Sequence, residues 1–492
     1  MQRAIAFGTG CLFTAVYEPV GLWPLAPALL LPFLYVALTR TSRETASLAF
    51  SFGLGWFLSG TYWIYLSVTG PGNAAGWIAV FLVVGLSLIM AGYIALTAWL
   101  MNRLAAGKPW RLLLAAPCCW VLIEWLRGWL FSGFPWMSLG YGQIDTALAG
   151  WAPVVGVYGV SLMLVISTTA LLVAMLDHSH KRWAAMAIVA APWVLGAALT
   201  TVPWTSPTGA AIKTTIIQAG IPQERKWLPE ERQPTRDFYR DRTRAATESQ
   251  LVVWPEVAIP SVSDIEEPYI RSLESIGAAN QQTIVFGILE REQRANDEVH
   301  IYNSVIGLNG GERQVYRKRH LVPFGEYFPV PTFVRNWMRM MSLPFSDLSA
   351  GADEQLLLQT MGGTQYSVVI CYEDSYGAEM LFAFPAAELL INVSNDAWFG
   401  DSIAPHQHLQ IARMRSLELG RETIRATNTG ISAFIDSRGE VLATGAQFEP
   451  VQMSSNVQPR TGSTPYVRFG NWPIVSLSLL ILAGFWLRSR PS

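Results

Sequence analysis

The sequence predicts a polytopic α-helical membrane domain joined to an α/β domain. Three observations point there. First, of 492 residues 51% are hydrophobic and only 14% are charged; a soluble globular chain carries about 25% charge, so much of this one belongs in lipid. Second, the formal net charge of -1 conceals an asymmetry: residues 1–204 and 471–492 hold 11 Lys and Arg against 5 Asp and Glu, whereas residues 205–470 hold 24 against 31. Third, long apolar runs give way near Lys213 to short β-branched runs that alternate with polar helical stretches. The chain therefore divides into a membrane domain at 1–204, a polar domain at 205–470 and a last membrane helix with its tail at 471–492. The acidic polar part lacks a basic stripe, which argues against a nucleic-acid partner. The apolar content excludes disorder.

Apolar segments lie at 4–17, 23–38, 46–68, 74–100, 112–130, 154–176, 183–202 and 472–487. Several reach the length of about 20 residues that crosses the hydrocarbon. Glu18 and Pro19 break the first pair, which reads as two tilted helices or one re-entrant pair. A cleavable signal peptide is disfavoured, because no small-x-small site follows and further spans come at once. Gly8-Thr9-Gly10-Cys11 lacks the aliphatic residue of a lipidation box and reads as an ordinary membrane cysteine. Basic residues fall in alternate loops: Arg3, then Arg40 and Arg43, then Arg103, Lys108 and Arg111, then Lys181 and Arg182, then Arg488 and Arg490. Basic loops stay cytoplasmic. Eight spans would leave both termini in the cytoplasm and put residues 205–470 outside, in the periplasm of a bacterial inner membrane. The aromatic loop Gly128-Trp129-Leu130-Phe131-Ser132-Gly133-Phe134-Pro135-Trp136, with Tyr141, reads as an interfacial anchor or as a wall for lipid chains. Glu124 and Arg127 have the spacing of a pair on one helix face.

In the polar domain, strands are expected at 214–218, 251–254, 283–289, 301–308, 314–317, 367–371, 389–393, 423–427, 432–436 and 441–443. Helices are expected at 230–250, 268–280 and 406–420. Asn309-Gly310-Gly311 and Ser437-Arg438-Gly439 read as hairpin turns. Alternating strands and helices make this an α/β domain.

Three elements place a reactive side chain at a strand end. The apolar strand before Trp254-Pro255-Glu256 stops at proline and presents a carboxylate. Tyr316-Arg317-Lys318-Arg319-His320 leaves a strand toward Glu326. Ser367-Val368-Val369-Ile370 ends in Cys371. The other cysteines, Cys11, Cys118 and Cys119, lie in the membrane part, so Cys371 has no disulfide partner within its domain. Such a thiol is either a buried small hydrophobe or a nucleophile. A nucleophilic thiol needs a base, and a desolvated carboxylate serves; an ammonium beside it would stabilise thiolate and oxyanion. Each motif alone is weak: Trp-Pro-Glu can be a plain strand end, and Lys318 a solvated lysine.

Together, Trp254-Pro255-Glu256, Lys318-Arg319-His320-Leu321-Val322-Pro323-Phe324-Gly325-Glu326 and Ile370-Cys371-Tyr372-Glu373, in that order, resemble the nitrilase (carbon–nitrogen hydrolase) superfamily. With the flanking membrane spans, the chain resembles its apolipoprotein N-acyltransferase family. That resemblance implies a nitrilase-like four-layer α-β-β-α sandwich, with Glu256 as general base, Lys318 as oxyanion stabiliser and Cys371 as nucleophile. It also marks Trp227, Glu326, Tyr372 and Glu373 as functional, and Asn303 through Tyr302-Asn303-Ser304. It implies a phospholipid acyl donor such as phosphatidylethanolamine, a thioester on Cys371, and the α-amine of a diacylglyceryl-cysteine apolipoprotein as acceptor. No cofactor is implied. Met338, Met340, Met341, Leu343 and Phe345 form a Met-rich stretch, expected either to be a lid on acyl chains or an ordinary packed loop. No cluster around His406 and His408, or His178 and His180, completes a metal site. Arg413, Arg415, Arg421 and Arg425, near Asn428, are expected to form structural ion pairs. Two other readings stay open: a tethered amidase that passes the acyl group to water, and a polytopic scaffold with an inactive nitrilase-like module.

Overall fold

The computed structural model describes residues 1–70, 72, 74–294, 298–327 and 348–488. Every expected apolar segment contains a helix: Gln2–Phe13, Leu25–Thr39, Ser42–Gly60 followed by Trp63–Thr69, Gly76–Ala105, Pro109–Arg127, Ala152–Leu176, Lys181–Leu199 and Trp472–Arg488. Among the described residues, four stretches, Gly76–Ala105, Pro109–Arg127, Ala147–Leu176 and Lys181–Leu199, are long and apolar enough to cross a membrane. The other expected spans rest on shorter or less apolar helices. The first and third segments pack backbone against backbone. A Cβ on Gly10 would meet the Phe52 carbonyl oxygen at 1.9 Å, and one on Gly55 would meet that of Phe7 at 2.1 Å. Small residues permit such contact where no hydrophobic gradient drives helices together.

The polar domain is built on two sheets. One runs Val451–Val457, Ile212–Gln218, Leu251–Val253, Thr283–Gln293, Val299–Asn309, Glu312–Arg317, with Ile259–Val262 pairing on Thr283–Gln293. The other runs Val441–Thr444, Ala433–Ile435, Thr423–Thr427, Leu389–Ser394, Gln365–Ile370, Leu358–Gln359. Alternation along each strand separates the layers. Ile216, Val253 and Val285 of one sheet and Val368, Ile370, Ile391 and Val393 of the other form the core between them. Ile217, Val252 and Ile284 face outward onto Tyr239, Ile270 and Leu273 of the helices Pro229–Ala245 and Glu267–Asn280. Ala433 and Ile435 face outward onto Ala412 of the helix Ala404–Leu419. The result is the expected α-β-β-α sandwich.

Each expected strand is present. The first helix stops at Ala245, five residues short of the expectation. Gly310 and Gly311 take the positive φ that a two-residue hairpin requires, at 61° and 105°. The polar strand Val451–Val457 was not expected, because one face of it meets solvent and Gln452, Ser454 and Asn456 break the β-branched pattern. Leu251–Val253 and Gln365–Ile370 both lie in parallel pairs, so Glu256 and Cys371 leave the carboxyl ends of parallel strands. Ligand sites in such sheets form there.

The two domains share buried polar contacts. Inside Ala152–Leu176, Gly156 adopts φ 69° and breaks the helical ladder; a Cβ there would strike the Tyr466 ring at 2.4 Å. The freed Val157 N–H donates to Glu418 Oε1 at 2.6 Å. Glu418 also pairs with Arg415 at 3.1 Å, whose guanidinium donates to the Tyr141 hydroxyl at 3.3 Å. Burial pushes the Glu418 carboxyl up to about 7, with Arg415 and the Val157 N–H opposing. A buried charge stripped of its partner costs about 3–5 kcal/mol. Glu418→Ala should therefore lower the melting temperature of the detergent-solubilised chain markedly. Glu418→Gln, which keeps an acceptor for Val157, should lower it less. An Ala variant that melts with wild type would remove Glu418 as a bracket between the domains.

Candidate active site

The strand Leu251–Val253 holds Trp254 in the core, stacked on Tyr239 at 4.7 Å and donating to Thr243 Oγ1 at 3.1 Å. Glu256 follows, buried. The neighbouring strand passes so close that a Cβ on Gly287 would lie 2.7 Å from the Glu256 Cα. Asn303 donates both amide hydrogens to carboxylates: to Glu256 Oε1 at 2.7 Å and to Glu326 Oε1 at 3.0 Å. Lys318, 1% exposed, places its Nζ 2.9 Å from Glu326 and 3.6 Å from Glu256. Its backbone N–H donates to the Asn303 carbonyl at 2.8 Å. Burial alone would discharge Lys318, but Glu326, Glu256 and the Cys371 thiol outweigh it and hold the ammonium above its ordinary range.

Cys371 is buried at the end of Gln365–Ile370 and takes φ 53°, a left-handed conformation that costs a non-glycine residue about 1–3 kcal/mol. Burial pushes the thiol pKa up, the Glu256 charge pushes it further, and Lys318 opposes both. The resting thiol is therefore protonated.

Glu373 ties two of these elements together. Its carboxylate accepts from the Ile370 N–H at 2.7 Å, before Cys371, and from the Arg319 and His320 N–H groups at 2.7 and 3.2 Å, after Lys318. The Tyr316 hydroxyl adds a donor at 3.1 Å. Burial holds the Glu373 carboxyl above its ordinary value against these bonds. Tyr372 stacks on Trp136 of the membrane domain at 6.3 Å and meets His320 and Tyr376 edge-on at 6.1 and 5.2 Å.

The expected residues thus fall into groups. Glu256, Lys318, Glu326 and Asn303 share one hydrogen-bonded cradle, with Cys371, Tyr372 and Glu373 beside it. Trp227 stands apart from them, 51% exposed. Met338, Met340, Met341, Leu343 and Phe345 lie outside the described residues. Glu124 and Arg127 do pair, at 4.0 Å, and Arg127 donates to the Phe134 and Trp136 carbonyls at 2.8 and 2.7 Å. The aromatic loop divides: Phe131 is 90% exposed, whereas Trp136 is fully buried under the catalytic domain. Arg413, Arg415 and Arg425 form ion pairs. Arg421 instead donates to the carbonyls of Ala387, Pro385 and Gly462 at 2.7, 3.0 and 2.8 Å. Among the described residues, no group of three or more His, Cys, Asp or Glu side chains could hold a metal ion.

Sequence reasoning missed Lys226. It is buried, and its Nζ donates to the Glu256 carbonyl at 3.2 Å; burial lowers its pKa to about 8 against the pull of Glu256. Flanked by Arg225 and the exposed Trp227, it looks like a surface residue.

Residues 9–170 match the family model described as apolipoprotein N-acyltransferase N-terminal domain, and residues 213–466 match carbon-nitrogen hydrolase. The chain is 38% identical to the apolipoprotein N-acyltransferase of Methylococcus capsulatus, over 99% of its own length and 96% of that protein. It is 40% identical to that of Nitrosomonas europaea, over 97% and 96%. Among solved structures, an amidase of the nitrilase superfamily from Nesterenkonia is 18% identical with a TM-score of 0.39, covering 53% of this chain and 95% of that one.

Removing Glu373 would strand three backbone donors in a buried turn, at about 1–3 kcal/mol each. Glu373→Ala should lower the melting temperature by many degrees, whereas Cys371→Ala should leave it near wild type. Equal melting of all three proteins would show that Glu373 is no clamp.

Proposed function

We propose a two-step acyl transfer from one premise: the chain belongs to the apolipoprotein N-acyltransferase family, and with it to the membrane acyltransferases of lipoprotein biosynthesis within the carbon–nitrogen hydrolase superfamily. In the first step Glu256 takes the proton from Cys371 Sγ as the sulfur attacks an ester carbonyl of a phospholipid. The Lys318 ammonium and the Tyr372 backbone N–H stabilise the oxyanion. The tetrahedral intermediate collapses to a thioester, and the lysophospholipid alcohol leaves with the proton held by Glu256. In the second step the α-amine of a diacylglyceryl-cysteine apolipoprotein attacks the thioester. Glu256 takes the amine proton, an amide forms, and the sulfur leaves and is reprotonated. The kinetics are ping-pong.

The observation that carries this reading is the buried cradle of Glu256, Asn303, Glu326 and Lys318 beside a strained, desolvated Cys371. Asn303 orients the base and Glu326 orients the ammonium. Trp227, exposed one residue after Lys226, is proposed to meet substrate. Phosphatidylethanolamine is the proposed donor. The loop charges support a catalytic domain on the periplasmic side of a bacterial inner membrane, with both termini cytoplasmic.

Intact-protein mass spectrometry after incubation with phosphatidylethanolamine tests the scheme. A hydroxylamine-sensitive fatty-acyl mass should appear on wild type, be absent from Cys371→Ala, and disappear when a diacylated lipopeptide amine is added. Glu256→Gln should slow its formation by about 100-fold or more, and Lys318→Met by about 100- to 1,000-fold. If folded wild type acquires no acyl mass from any phospholipid, the thioester scheme fails. Discharge by water at the same rate as by the amine would favour an amidase.

A further inference from the structure

Beneath the nucleophile lies a buried charge cluster that the transfer scheme does not use. His408, on the helix Ala404–Leu419, is fully buried. Its Nδ1 is 3.0 Å from Asp396 Oδ1. Its Nε2 is 3.0 Å from Asp374 Oδ1 and 3.3 Å from the Cys371 carbonyl oxygen. Arg425 closes the cluster from the adjacent strand, 3.3 Å from Asp374 Oδ2 and 3.0 Å from Asp396 Oδ2. The Ser394 hydroxyl donates to Asp396 Oδ1 at 2.6 Å. Trp136 and Phe399 cover the imidazole, with ring centroids at 5.4 and 6.2 Å.

We infer that His408 is a positioning residue for Cys371 and acts as an imidazolium: it holds the carbonyl of the nucleophile's left-handed turn and cancels carboxylate charge beneath the thiol.

With both aspartates ionised, the geometry leaves one protonation state. A neutral imidazole has one N–H and one lone pair, and each ring nitrogen here faces a carboxylate oxygen. Either neutral tautomer would aim a lone pair at an oxygen anion. The doubly protonated ring satisfies both sides and balances two carboxylates with two cations. The electrostatics agree. Burial and then Arg425 push the His408 pKa down, but Asp374 and Asp396 outweigh them and raise it to about 9. Asp396 stays well below the carboxylate range, because Arg425 and His408 outweigh its burial.

The consequence falls on the thiol. Burial and Glu256 already raise the Cys371 pKa, and Asp396 adds to them. Without the His408 charge, Asp374 and Asp396 would face Arg425 alone, leaving one uncompensated anion beside a sulfur that must become anionic. A like charge nearby moves a pKa by about one unit or more. The Cys371 carbonyl would also lose its donor at a residue whose backbone is strained.

This inference rests on Cys371 as the nucleophile, but its test reads the thiol and not the transfer, so the two fail separately. The probe is iodoacetamide, applied to the full chain in detergent at pH 7, where the imidazolium is intact, with the rate of alkylation at Cys371 followed by peptide mass spectrometry. His408→Gln keeps a hydrogen-bonding side chain without the charge and should slow alkylation by about tenfold or more, the change in thiolate fraction that one pKa unit makes. His408→Gln with Asp396→Asn removes one cation and one anion, and should return the rate toward wild type. A purely structural histidine would lower the melting temperature without changing the rate, and the double variant would then be worse than the single one. An unchanged rate in folded His408→Gln overturns the inference. If that variant does not fold, 15N spectra of wild type decide. An imidazolium that survives to pH 8 and is lost in the charge-balanced double variant supports it. All six histidines neutral at pH 8 overturns it.

Discussion

A carboxylate taken out of water must be met by donors or cations, and that requirement organises this catalytic domain. Glu256, Glu326, Glu373, Asp374 and Asp396 are drawn in around one thiol, and each recruits partners from another element. Asn303 bridges two of them with its only two side-chain hydrogens. Glu373 binds the backbone on both sides of the site. The ends of four strands are thereby fixed relative to one another by charge. Desolvation makes each bond strong and makes the loss of any partner expensive.

The same logic joins the membrane domain to the catalytic one. Glu418 caps a backbone N–H that the Gly156 break sets free, and Arg127 holds the carbonyls of the loop carrying Trp136. That indole then donates to Gln407 Oε1 at 2.7 Å and packs against Tyr372 and His408. A loop of the helical N-terminal domain therefore forms part of the wall behind the Cys371 turn, and buried contacts set that turn beside the apolar helices. The pairing of Thr205–Pro207 with Arg460–Gly462 adds to it, bringing the chain's entry into the catalytic domain and its exit together.

Where the sequence was legible, the signal was local. Strand ends such as Val253 before Trp254-Pro255-Glu256 and Ile370 before Cys371 stand out because an apolar run stops at a residue with chemistry. The hairpin glycines stand out because only glycine takes their backbone angles cheaply. Val451–Val457 did not stand out, since an edge strand with one wet face needs no β-branched run. Lys226 was missed because charge in a sequence reads as exposure, and Arg421 was expected to pair with a carboxylate; both side chains are instead buried against backbone carbonyls supplied from distant positions.

By itself the sequence determined the two-part character of the chain, the order of its strands and helices, and which carboxylate, ammonium and thiol are candidates for chemistry. Those follow from periodicity and from residue type, which are properties of neighbours along the chain. Only the tertiary structure decided that Asn303 bridges Glu256 and Glu326, that Glu373 is a clamp, and that His408 lies between two aspartates under Cys371. Apart from the Ile370–Glu373 bond, these depend on pairs separated by 12 to 57 positions. Burial at such contacts sets the charge each group carries, and nothing adjacent in the sequence encodes it.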